Sequence, residues 1–181
     1  MRTVTTTEAP ISEEKKTADP VCCPEFSQKR FESFQETLIT FDEKPFVKDR
    51  IWCFFYIPLN FDSVLTRTSK KIEAAKADVP DDDLVILCDM TSRWSTRVHV
   101  SVSKDEVPNA NVVKLSGKFF TKVYEGPYNK FNEWINDMKA FVKQEKGIEV
   151  DPKEMYAYYA TCPKCAAKYG KNYTVLFAKA D

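Results

Sequence analysis

Glycine and histidine are scarce in this sequence, with four glycines and one histidine in 181 residues. Four glycines do not furnish the phosphate-cradling loops of a P-loop or dinucleotide-binding fold, and one histidine does not furnish a histidine-based zinc centre. A charge surplus is missing too, because lysine plus arginine and aspartate plus glutamate both total 27. Nucleic-acid binders usually carry a basic excess on one face, so DNA and RNA are not expected partners. No run approaches the ~18 consecutive apolar residues of a membrane span, and residues 1–20 hold no apolar signal-peptide core. A cytoplasmic protein with no membrane partner is therefore expected. The six cysteines would then be reduced, and their grouping is read as metal, redox or packing before disulfide.

Aromatic residues are plentiful, with thirteen Phe, eight Tyr and three Trp. They suit a large core and equally a pocket for a flat organic ligand. Residues 1–20 lack periodicity and aromatics and are expected to form a disordered tail, since they bury too little apolar surface to offset the entropy of ordering. Residues 21–48 are expected to form an irregular strap with a short strand near Thr37 to Phe41. From 49 to 181 the chain reads as one α+β domain. Arg50 to Ile57 reads as a strand. Phe61, Val64, Leu65, Thr68, Ile72 and Ala75 recur at helical spacing, and strands follow at Leu84–Cys88 and Arg97–Val102. The same order then repeats: a strand over Val112–Glu125, a helix over Tyr128–Lys146 closed by Gly147, and strands over Met155–Thr161 and Tyr173–Ala178. At an offset of about 70 residues Phe61 falls on Phe131, Leu65 on Ile135 and Ile72 on Val142. The pattern predicts a duplicated βαββ module, one antiparallel-rich sheet with two helices on one face, and a ligand cleft at the seam between the copies.

That duplicated pattern, with Val123-Tyr124-Glu125-Gly126-Pro127-Tyr128 at the second strand-to-helix junction, resembles the GyrI-like small-molecule-binding family, which includes the effector-binding domains of multidrug-sensing activators. Phe46-Val47-Lys48-Asp49-Arg50, Phe55-Tyr56-Ile57-Pro58-Leu59-Asn60-Phe61, Thr161-Cys162-Pro163-Lys164-Cys165 and Lys168-Tyr169-Gly170-Lys171-Asn172-Tyr173 resemble a bacterial stand-alone branch of it described as hydrolase-like. The resemblance implies a small organic ligand. It also implies, through stand-alone members that open cyclopropane-bearing toxins with water, a detoxifying hydrolysis. No helix-turn-helix reading fits the residues before Asp49.

Glu125 ends a strand on which Phe119, Thr121 and Val123 share its face, so an apolar wall would desolvate its carboxylate and suit it to acid–base work or to pairing with a cationic ligand. The alternative is an exposed carboxylate near a helix N-terminus. Trp52, Trp94, Tyr124, Tyr128, Tyr156 and Tyr158 are candidate ligand-binding aromatics, each of which also suits a core. His99 alternates with Val98 and Val100 and is expected on the solvent side, although imidazole titrates in the range needed for proton transfer. Cys162 and Cys165 form a CxxC before a helical stretch, open to three readings: redox chemistry, packing, or a structural zinc completed by Cys22 and Cys23. Cys53 and Cys88 read as buried packing residues. Two rivals to a ligand-hydrolysing protein stand beside it: a non-catalytic sequestering module and a thiol or zinc protein.

Overall fold

The computed structural model describes residues 25–54, 57–90, 92 and 94–180. The expected tail at 1–20 lies outside them. A short helix, α1 (Gln28–Phe34), is capped by Ser27, whose hydroxyl accepts from the Arg30 backbone N–H. The chain then enters β1 (Thr37–Phe54), a continuous strand of 18 residues, so the boundary expected at 49 falls within a strand and the irregular strap is corrected to a helix and a strand. A two-residue strand, β2 (Ile57–Pro58), folds back antiparallel on the end of β1. After it come α2 (Phe61–Ala74), β3 (Ile86–Asp89), β4 (Ser95–Ser101) and β5 (Asn111–Glu125). A 3₁₀ turn at Tyr128–Lys130 precedes α3 (Phe131–Lys146), so the second helix proper starts three residues later than its periodicity suggests. Last come β6 (Met155–Tyr159), α4 (Pro163–Tyr169) and β7 (Tyr173–Lys179).

The expected antiparallel-rich sheet is present, and it closes into a barrel. Six strands run in the order β1-β4-β3-β6-β7-β5, every pairing antiparallel, and β5 pairs back on β1. Closure leaves these six strands without a long free edge. It also encloses the inner face of each strand, while helices cover part of the outside. The two β1 to β5 registers are joined by an irregularity between Phe41 and Lys44, and Gly117, opposite Phe41, takes a φ of 134°. That conformation is costly for a residue with a Cβ, which is why the long strand bends there.

Cross-strand register sorts the wall. Asp49, Val98, Cys88, Ala157 and Leu176 follow one another around the outside. Against this outer surface α2 places Val64 and Ile72, and α3 places Trp134, Ile135, Met138 and Val142. Both helices thus lie on the outer face. Asp49 fastens α2 through Arg67, at 2.6 and 2.8 Å. The inner face carries Phe41, Phe46, Leu87, Phe119, Val175 and Phe177. At one end α1 and the residue before its cap add Phe34 and Phe26 to that cluster, and α1 inserts Arg30 among them, plugging the barrel. The opposite end, where β3 and β7 finish and β4 and β6 begin, has no such plug among the described residues. That end is polar.

Candidate functional site

The polar end opens into a cavity of about 290 Å³ lined by residues from both halves of the chain, with Asp89, Arg97 and His99 on one side and Phe119, Tyr156 and Lys179 on the other. It lies near the lower bound of ligand pockets, roughly 300 Å³. Strand register explains the convergence. His99 lies opposite Leu87 and Lys48, Arg97 opposite Arg50, and Asp89 opposite Tyr156, which pairs in turn with Phe177. All therefore share the inner face.

Asp89 is only 7% exposed and is held on several sides. Its carboxylate accepts from the Arg97 Nε at 2.5 Å and from the Arg97 backbone N–H at 3.1 Å, while the Thr96 hydroxyl donates to its backbone carbonyl. Burying a carboxylate is costly unless it is paired and hydrogen-bonded in this way. His99, 5% exposed, stands edge-on to Tyr156 at 5.8 Å and to Phe46 at 6.5 Å. Its Nδ1 is buried without a hydrogen-bond partner among the described residues. Burial holds the imidazole below its ordinary pKa, opposed by the negative charge of Asp89 and the Leu87 carbonyl and assisted by Lys48 and Arg97. Burial also raises the Tyr156 phenol, with Asp89 adding to the effect and Arg97 opposing it. At neutral pH the cavity thus presents an uncharged imidazole and an intact phenol beside a fixed carboxylate and a guanidinium. This set can accept a proton, donate hydrogen bonds and hold an anionic group.

The expectation that His99 faces solvent is corrected. Its alternation with valine was real, but in a closed barrel the valines face α2 and the histidine faces the interior. Glu125 lies elsewhere. It pairs with Tyr173 at the α1 end of β5 and β7, six residues along β7 from Lys179. It is exposed, so the desolvation argument does not hold for it. It borders a shallow, open depression with Gly126, Ala166, Gly170, Lys171 and Asn172.

The six candidate aromatics do not meet in one place. Tyr156 alone among them lines the cavity. Tyr158 faces the plugged end, where its hydroxyl accepts from Arg30 at 3.1 Å. Tyr124 is buried under α3, stacked on Trp134 at 5.6 Å, and donates to Asp137 at 2.8 Å. Tyr128 donates to the Thr161 carbonyl at 2.6 Å. Trp52 and Trp94 are exposed at the end of β1 and before β4. Cys162 caps α4 and Cys165 is buried, whereas Cys22 and Cys23 lie outside the described residues, as does any zinc site they would complete. Cys53 and Cys88 are buried against the α2 side, and burial pushes the Cys88 thiol up to about 12.

Asp89, Arg97 and Lys179 were not singled out from the sequence. The available signal was a carboxylate at the end of the apolar run Val85–Cys88, close to an alternating strand whose second face carries Arg97 and His99. Periodicity alone cannot say that this second face is enclosed. A family model described as bacterial hydrolase matches residues 13–180. No curated protein matches the chain.

Proposed function

Because the chain belongs to the bacterial hydrolase family, we propose that it binds a small organic molecule in the open barrel mouth and hydrolyses it there, with His99 as general base. The observation that carries this reading is the single histidine, buried in the cavity wall with Nδ1 unpartnered among the described residues. A neutral imidazole takes a proton from water as the water oxygen bonds to an electrophilic carbon, the bond from that carbon to its leaving atom breaks, and the imidazolium returns the proton to the leaving atom. Asp89 stabilises the imidazolium through its charge, and the Tyr156 phenol and the neighbouring cations stabilise negative charge developing on the substrate. Apart from the two-residue β2 and the short α4 inserted between β6 and β7, each half runs strand, helix, strand, strand, and the order β1-β4-β3 mirrors β5-β7-β6. These facts support the finer reading of a duplicated βαββ module of the GyrI-like kind, with the ligand at the seam between its copies.

The test is hydrolysis of a panel of activated esters, epoxides and cyclopropanes by wild type, His99→Gln, Tyr156→Phe and Glu125→Gln. General-base loss should cost His99→Gln about 10²–10⁴-fold in kcat. Glu125→Gln should keep wild-type rates. The opposite result, a silent histidine and an essential glutamate, would move the chemistry to the depression beside Gly126.

A further inference from the structure

We infer that the barrel mouth selects an amphipathic organic anion, whose acidic group sits against the basic inner wall and whose flat apolar body lies on the aromatic hairpin at the rim. This inference rests on the mouth being the ligand site. Its first support is charge. The chain as a whole is neutral, yet this end of the barrel carries Lys48, Arg50, Arg97, Lys153 and Lys179 against Asp89 and Glu154. Asp89 is already bonded to Arg97 and Thr96, so an incoming carboxylate, sulfonate or phosphate meets a local cationic excess in a partly dry cleft. In such a setting an anion gains far more than at an open surface.

The second support is the rim. On β1 the inner face runs from Lys48, opposite His99, through Arg50, opposite Arg97, to Trp52, opposite Ser95. Trp52 therefore continues the cavity wall outward. It is 56% exposed, beside Phe54 at 56% and Trp94 at 52%. These residues do not hang on a loose loop. The Trp52 carbonyl accepts from the Leu59 N–H at 2.8 Å, the Trp52 N–H donates to Asn60 Oδ1 at 2.8 Å, and the Trp94 carbonyl accepts from the Cys53 N–H at 2.8 Å. Arg50 lies over the Trp52 ring at 5.3 Å, and Phe54 meets Trp94 edge-on at 6.1 Å. A held, exposed cluster of large rings is uncommon on a soluble surface and marks a contact site. Its continuity with the basic wall assigns the occupant as one molecule with an acidic end and an apolar end.

Fluorescence titration of the intact protein with anilinonaphthalene sulfonate and with uncharged phenylnaphthylamine tests the assignment. Wild type should bind the sulfonate more tightly. Lys179→Glu should weaken the sulfonate by at least about threefold and leave the neutral dye unchanged, as expected for a two-unit charge reversal in a partly screened site. Trp52→Ala should weaken both dyes. Lys70→Glu, the same charge change on the exposed side of α2, should alter neither. Equal affinity of wild type for the two dyes, or a sulfonate affinity indifferent to Lys179→Glu, overturns the assignment. Co-sedimentation with anionic vesicles that Lys179→Glu abolishes would also overturn it, in favour of a lipid surface. Neither dye is hydrolysed, so a negative result here leaves the hydrolytic reading standing, and loss of that reading leaves the dye result standing.

Discussion

Replacing Arg30 should unseat the plug of the barrel. Its guanidinium is 5% exposed and donates to the Asp81 carbonyl at 2.5 Å, the Leu84 carbonyl at 2.6 Å and the Tyr158 hydroxyl at 3.1 Å. It also lies over the rings of Phe26, Phe34 and Tyr158 at 5.6 to 5.8 Å. Hydrogen bonds from a charged donor contribute about 1.5–3 kcal/mol each, and a desolvated cation–π contact about 2 kcal/mol. Against these stand the desolvation of the charge and the ability of the two carbonyls to bind water once the helix loosens. Arg30→Leu should therefore cost about 3–4 kcal/mol, and Arg30→Lys about 2 kcal/mol, since an ammonium does not span the two carbonyls and the phenol with one planar fork. At about 2–4 °C per kcal/mol for a chain of this size, the leucine variant should melt roughly 6–16 °C lower. The assay is thermal and urea unfolding of wild type, both variants and Lys29→Ala. Lys29 makes an exposed bridge to Asp82 at 3.0 Å, and its loss should leave the melt unchanged. Because the Arg30 contacts are to dipoles and rings in a dry place, the loss should persist in 1 M salt, where the Debye length is about 3 Å. A leucine variant within about 1 kcal/mol of wild type, or a penalty that salt abolishes, would refute the plug as a stabilising device.

His99 also makes stability depend on pH. Its folded pKa lies below the ordinary 6.5, so above that value both states hold it neutral and the folded protein has its full stability. As pH falls below 6.5 the unfolded chain takes the proton first, and stability declines until the folded value is passed. With one histidine in the chain, the drop in melting temperature between about pH 7 and pH 5 should flatten in His99→Gln, and an unchanged slope would argue against a buried neutral imidazole. Gly126 holds φ at 135°, and a Cβ there would meet Trp134 Cζ2 at an ordinary 3.7 Å. Gly126→Ala should therefore cost about 1–3 kcal/mol through the backbone alone, and a melting temperature equal to wild type would show that the turn tolerates a Cβ.

Local periodicity was legible in the sequence because it is imposed by backbone geometry. Val64, Thr68 and Ile72 recur every four residues, and α2 follows; Trp134, Ile135, Met138 and Val142 do the same for α3, and Gly147 closes it in the left-handed conformation. Tyr156 was named as a ligand-binding residue and does line the mouth, but for a reason the sequence did not hold, namely its pairing with Asp89. Closure was not legible, because it depends on hydrogen bonds between β1 and β5, whose partners such as Thr37 and Thr121 lie far apart in the chain. That single pairing changes what alternation means. In an open sheet the polar partners of Val98 and Val100 face water, whereas in the barrel His99 is enclosed and Arg97 turns to Asp89. Local pattern was enough to place α2, α3 and the strands after them and to show which side of each is most apolar, but not α1 or the full length of β1. That the inner side is also enclosed, that α1 plugs one end with a buried arginine, and that the other end gathers an acid, a histidine and cations follow from register and closure rather than from any local repeat.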